Sequence, residues 1–456
     1  MNNGKREAAG TAAGKALEAL GTWMKIGYGA GDFAANITFQ TVTLFLMYFY
    51  TDVFILGAST AGMIFFIAKI WNAACDPTMG YIADRTRTRW GRNRPFLLFG
   101  ALPLGIAFFL LFSGPDLSPD GRIAWALFTF LLFSAAYSVI NIPYGALTAN
   151  LTMDTTERSS LTGFRMAFAI FGSLFAAGAA KPLVALFQDE LTGFRMTGLI
   201  FGAVCVAVNL VTFASVRERV APPREAHMSF REDLAMVRRN RPFILLTIST
   251  IIQMIAINLL AIMVNYYFKY NLDAADLIPV AFLCLFATAM VAMPLWVFLS
   301  SRWGKKKVLM TGTGFLALML LGLLAVPRGA TGLVLAIFVG AGVGLASLYL
   351  CPWSMIPDTV EYSQWKTGMR REGILYGFFN FAFKFAAAFS GMITGFGLDI
   401  IGYQQNTAQQ EGTLSGILML MTIVPVFFIA AGIVIIGFYP IDAAMHRKMV
   451  SEIDAR

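Results

Sequence analysis

Twelve apolar windows of about 18 to 28 residues recur along almost the whole chain, and each is long enough to cross a hydrocarbon core of about 30 Å as a helix. This recurrence excludes most folds at once. A lipid-exposed backbone must satisfy its own hydrogen bonds, so long uninterrupted apolar windows read as membrane helices rather than buried strands. Composition agrees: 57% of residues are hydrophobic and 13% charged, about half the charged fraction of a soluble domain. The mean hydropathy is +0.67. The expected fold is an all-α polytopic membrane protein with twelve transmembrane helices.

The spans fit about 26–50, 60–83, 96–113 and 123–150, a fifth with Arg165 just inside its start, then about 196–215, 242–268, 277–300, 308–326, 332–356, 372–401 and 415–438. Residues 216–241, broken by Pro222 and Pro223, form the longest polar stretch and read as a linker. The division expected is a cytoplasmic leader at 1–22, a six-helix bundle at 23–215, the linker, a second six-helix bundle at 242–438 and a cytoplasmic tail at 439–456. An internal repeat supports two related halves. TRWGRNR after the second span is echoed by SRWGKKK after the eighth, and MDTTER after the fourth by PDTVEY after the tenth. The same order of loops implies duplicated, pseudo-symmetric bundles around a midplane site.

The formal net charge of +9 raises nucleic acid as a partner, but the basic residues sit in short loops beside apolar spans, as topogenesis requires. Those loops place both termini in the cytoplasm. Cys75, Cys205, Cys284 and Cys351 fall within apolar segments without metal-ligand spacing, so neither disulfides nor zinc are indicated. His227 and His446 lie in polar segments, which removes a histidine proton relay inside the membrane. No nucleophile–base pair, phosphate loop or cofactor motif is present, and an enzyme is not expected.

Function must then reside in polar residues inside apolar spans, because a charge at a helix centre costs roughly 2.5 to 3.5 kcal/mol on insertion scales and needs a partner or an aqueous cavity. The first span carries Tyr28, Asp32, Asn36 and Gln40 on one stripe, and the second carries Lys69, Asn72 and Asp76. The fourth carries Ser134, Ser138, Asn141 and Tyr144; the eleventh carries Tyr376, Asn380 and Lys384. Asp76, followed by Pro77, is suited to a proton or cation, with Asn72 and Lys384 as coupling partners. A structural ion pair with Lys69 or Lys384 is the competing reading. Asp32, Asn36, Asn141, Tyr144, Arg165 and Asn380 supply the directional hydrogen bonds that a polyol demands, against which stands interhelical polar glue.

The strings YGAGDFAANI, KIWNAACDPTMGYIADRTRTRWGRNRPF, NIPYGALTANLTMDTTER and IPDTVEYSQWKTGMRREGILYG together resemble the glycoside–pentoside–hexuronide:cation symporters of the major facilitator superfamily. The resemblance spans nearly the whole chain. It implies a sugar or glycoside symporter of the bacterial inner membrane, working as a monomer by alternating access and without a bound cofactor. It also implies that Asp76 matches the family's cation-binding aspartate, that Lys384 matches a nearby lysine, and that Asp32 and Arg165 match sugar-binding positions. Melibiose-type members carry aspartates where this chain has Asn72 and Asn141. One carboxylate beside an amide favours a proton over sodium, with sodium coupling as the alternative. A less acidic pocket at Asn141 admits an anionic uronide or sulfo-sugar. A more distant branch of the resemblance carries lysolipids, which leaves amphiphile transport as a second alternative.

Overall fold

The computed structural model describes residues 20–152, 155–219, 237–327, 329–368 and 372–454. Most of the expected leader, the centre of the linker with His227, and Arg370 and Arg371 lie outside the described residues.

The described elements are helical throughout, apart from one isolated bridge between Thr88 and Gly91. They are α1 (Thr22–Tyr48), α2 (Ala58–Arg85), α3 (Arg94–Leu111), α4 (Pro119–Leu151), α5 (Thr155–Ala185) and α6 (Glu190–Ser215). Then follow α7 (Arg241–Tyr266), α8 (Ile278–Trp303), α9 (Lys305–Gly322), α10 (Thr331–Thr367), α11 (Glu372–Ile400), α12 (Glu411–Met421), α13 (Ile423–Gly437) and α14 (Ala443–Asp454). Short π-helical turns at Phe49–Val53 and Tyr267–Asn271 extend α1 and α7.

Local chemistry sets several of these starts. Ser118 Oγ accepts from Gly121 N ahead of Pro119, and Asn240 Oδ1 accepts from Phe243 N ahead of Pro242. Each pairs an N-cap oxygen with proline in the first turn, where its missing N–H is harmless. Inside the spans, hydroxyls bond back to their own helix, as Thr41 does to Ile37 O and Thr394 to Ser390 O. This satisfies polar groups where water is absent.

Among the described residues, eleven helical segments are long and apolar enough to cross a membrane, so the chain is an all-α polytopic membrane protein. α1 falls outside that set, since the polar stripe and threonines that make it interesting also dilute its hydropathy. Two boundaries differ from the sequence reading. PDTVEY, read as a loop after a span ending near 356, is helical: α10 continues to Thr367 and stops where Gly368, at φ 75°, donates to Gln364 O. The drop in hydropathy marks the end of the apolar stretch, while the helix runs on. The last span is divided at Thr422 into α12 and α13, because Pro425 has no N–H for the carbonyl of Met421 and crowds it.

The chain forms two compact units. One holds Met1–Leu56 with Ile70–Glu225, the other Gly57–Lys69 with Ala226–Arg456, so α2 contributes to both. In the first, α1 packs most extensively on α5 and also on α6, while α3 packs between α4 and α6. In the second, α7 contacts α11 and α13, and α10 lies against α8 and α9.

Candidate functional site

The first unit's polar cluster begins with a close backbone crossing. A Cβ on Gly29 of α1 would lie 2.8 Å from the Phe168 ring and 3.1 Å from Phe164 O; one on Gly172 of α5 would lie 2.7 Å from Phe33 O. Only hydrogen fits at these two points. The short side chain of Asp32 therefore reaches Arg165 across the crossing, with Arg165 Nε donating to Oδ2 at 2.6 Å and Nη2 to Oδ1 at 3.3 Å. This is the bidentate fork that guanidinium and carboxylate geometry favours.

α4 supplies the rest. Tyr144 Oη lies 2.9 Å from Asp32 Oδ2 and 2.6 Å from Tyr28 O, while Tyr28 Oη lies 3.0 Å from Tyr144 O and 2.7 Å from Thr148 Oγ1. Arg165 Nη1 donates to Thr148 Oγ1 at 3.2 Å, and its guanidinium carbon sits 4.9 Å from the Tyr144 ring centre. Three helices thus hold one carboxylate and one guanidinium, whose side chains are 9% and 20% exposed. The pair is sheltered yet reachable.

Asn36 joins the edge of this cluster: its Nδ2 donates to Asp32 O and its Oδ1 accepts from Ser173 Oγ at 3.3 Å. Asn141 is half-buried on α4, one turn before Tyr144.

A second cluster joins α2 to α4. Asn72 Nδ2 lies 3.0 Å from Ser134 O and 2.9 Å from Ser138 Oγ, and Ser138 Oγ donates to Asp76 Oδ1 at 2.7 Å. The amide thus orients the serine, and the serine aims its proton at the carboxylate. Pro77 lies inside α2 and gives no N–H to Ala73 O.

In the second unit, Lys69 is buried and Lys384 half-buried, within electrostatic reach of each other. Asn380 is exposed and donates to Tyr376 O of its own helix. Gln253 shows what polar glue looks like: its Nε2 donates to Ser249 Oγ, which donates to Gly432 O on α13. The structure therefore brings Asp32, Asn36, Tyr144 and Arg165 together and links Asn72 to Asp76, all within the first unit, whereas Asn380 belongs to the second.

Sequence reasoning passed over Ser138, Tyr28 and Thr148 as site residues. Ser138 and Tyr28 stood in the polar stripes already read, and Thr148 follows Tyr144 by one helical turn, which was the available signal. Among the described residues, the one group of side chains close enough to hold a metal ion is Asp358, Glu361 and His446, on α10 and α14 and in neither cluster.

Comparison with known proteins adds an independent line. Residues 27–443 match the family model described as MFS/sugar transport protein. A symporter of Bacillus subtilis, YnaJ, is 38% identical across 95% of this chain and 94% of its own length. The isoprimeverose transporter of Lactiplantibacillus pentosus is 30% identical across 95% of this chain and 91% of its own. Among solved structures, a bacterial homologue of the human lysosomal transporter Spinster superimposes with a TM-score of 0.69, covering 94% of this chain and 98% of that one at 12% identity.

Proposed function

We propose, from the premise that this chain belongs to the MFS/sugar transport protein family and is a secondary active transporter of a sugar-like substrate coupled to a cation, that the coupling ion is a proton carried by Asp76. The observation that carries this reading is the Asn72–Ser138–Asp76 relay. A desolvated sodium ion needs several oxygen ligands to replace its water and is served less well by one carboxylate beside an amide, whereas a proton needs one carboxylate. Here the neighbouring position is an amide whose nitrogen is turned toward α4.

In this reading the twelve spans form two six-helix bundles, divided at 23–215 and 242–438, that alternate access to a midplane site. Asp32, Arg165, Tyr144, Asn36 and Asn141 hold the sugar or glycoside. After the Nε, Nη1 and Nη2 bonds described above, Arg165 retains two N–H donors, and Asp32 Oδ1 retains acceptor capacity, so a vicinal diol meets both donor and acceptor. Asn380, on α11 of the second unit, is the further substrate-binding residue in this reading. Protonation of Asp76 removes its charge and stabilises the substrate-ready arrangement, with Lys384 as the coupling partner in this reading. The working unit is a monomer in the bacterial inner membrane with both termini cytoplasmic, as the basic loops of the sequence favour.

The test is proton uptake into right-side-out vesicles on adding a panel of glycosides, uronides and sulfo-sugars, with and without sodium. External alkalinisation that is independent of sodium is the expected result and names the substrate class. An absolute sodium requirement overturns the assignment of Asp76 to a proton, and silence across the panel overturns the sugar reading.

A further inference from the structure

A groove between α7 and α11 takes no part in either polar cluster. It follows the first halves of the two helices, has a volume of about 260 Å³ and, apart from Thr247, is lined by apolar side chains alone. Ile244, Ile248 and Ile251 form one wall, and Phe378, Phe381 and Phe385 the other. Each set keeps the three- and four-residue spacing that holds side chains on one helix face. Ile248 and Phe381 are 42% and 48% exposed, so the groove is open along its side. A polyol finds almost nothing to bond there.

Depth and charge say what fits instead. Both helices belong to segments long and apolar enough to cross a membrane. From Ile244 to Ile251 the wall rises about 10 Å at about 1.5 Å per residue, within the roughly 15 Å that one leaflet contributes to the hydrocarbon core. That suits a single extended acyl chain. Arg241, the first residue of α7, precedes Ile244 by three residues on the same face and lies about 5 Å nearer the membrane surface. Val237, also in the lining, is followed directly by Arg238 and Arg239. All three arginines are exposed, and among the described residues none is paired with a carboxylate. Asn240 anchors this turn of backbone, with Oδ1 accepting from Phe243 N and Nδ2 donating to Thr359 O of α10 at 2.8 Å. An apolar slot within one leaflet that ends at the surface in three arginines is complementary to a lipid with an anionic headgroup.

We propose that the α7–α11 groove binds an anionic glycerophospholipid, phosphatidylglycerol in its simplest form, with one acyl chain along the groove and the phosphate on Arg238, Arg239 and Arg241. On the topology proposed above, the lipid comes from the cytoplasmic leaflet. The bound chain joins α7 to α11, the helix that carries Lys384.

The experiment is photo-crosslinking of the full chain in vesicles of phosphatidylethanolamine with a minor share of phosphatidylglycerol, doped with a phosphatidylglycerol that carries a diazirine in one acyl chain. Labelled peptides are identified by mass spectrometry. No substrate or gradient is present, so the result stands apart from whether the transport reading holds. Labelling is expected on peptides covering 241–251 and 374–385, and unlabelled phosphatidylglycerol is expected to compete better than phosphatidylethanolamine with the same chains. Arg238→Gln, Arg239→Gln and Arg241→Gln combined are expected to erase that preference, since each arginine near an anionic surface contributes about fivefold in affinity. Ile248→Trp fills the open side of the groove and keeps the arginines. It is expected to lower labelling of both peptides, and it serves if the triple variant misfolds. Equal competition by the two lipids, or labelling that neither variant changes, overturns the proposal and makes the groove an ordinary lipid-facing surface. So does displacement of the label by inorganic phosphate as effectively as by the lipid, which would leave the acyl chain without a role.

Discussion

Replacing Asp32 by Asn leaves the Arg165 guanidinium in place and takes away the charge that faces it. Two unit charges about 4 Å apart interact by about 4 kcal/mol at an effective dielectric constant of about 20, the value suited to partly sheltered sites. Removing one partner of a buried pair costs about 3 to 5 kcal/mol by mutational experience. The pair here is sheltered but not sealed, with the side chains 9% and 20% exposed, so about 3 kcal/mol is the reasoned loss. Arg165→Gln strands the carboxylate and costs a similar amount, although Tyr144 still reaches Asp32 Oδ2. The double variant strands neither charge and should recover about 2 to 4 kcal/mol relative to the sum of the two singles. Reversible unfolding in detergent, followed by tryptophan fluorescence against denaturant, measures that coupling. Transport is expected to be absent in all three variants, which separates the contribution to folding from the contribution to substrate. Strict additivity of the two singles would refute the argument, because it would mean that the two groups do not depend on each other.

Four further outcomes follow from the geometry. Asp76→Asn should abolish accumulation against a gradient while leaving substrate exchange measurable in vesicles; accumulation that persists would refute its coupling role. Ser138→Ala removes a hydroxyl that donates to Asp76, a bond worth about 1.5 to 3 kcal/mol when the acceptor is charged. Accumulation driven by an imposed proton gradient in vesicles should fall in this variant, and accumulation equal to the wild type would refute a role for the relay. Gly172→Leu should overpack the crossing of α1 and α5 by about 1 to 3 kcal/mol and lower substrate affinity, read by isothermal titration, because it moves Asp32 away from Arg165. Gly145→Ala, where an added Cβ meets nothing within 4 Å, is the matched control and should be neutral in the same titration.

The helical, membrane-spanning character was legible in the chain because apolar runs of bilayer length admit few other solutions. The polar stripes were legible too, since residues four apart on a helix share a face whatever the surroundings. Tyr28, Asp32 and Asn36 came from such a stripe, as did Asn72 with Asp76, and each belongs to a cluster in the fold. What failed was the inference that a fall in hydropathy ends a helix. α10 runs through PDTVEY because its last turns find partners in Lys305 and α14 rather than in lipid, and nothing local in the string announces those partners.

By itself, then, the sequence determined the class of fold, the faces on which polar groups stand and the family to which the chain belongs, because these follow from periodicity and from short strings of residues. Only the tertiary structure decided that Asp32 meets Arg165, that Ser138 is the donor to Asp76, and that His446 stands against two carboxylates on α10. Those pairings depend on how closely two helices approach and at what register, which is set by packing at points such as Gly29 and Gly172, on two helices that lie far apart in sequence. Periodicity fixes a direction around one helix axis; it carries no information about which neighbour will lie there.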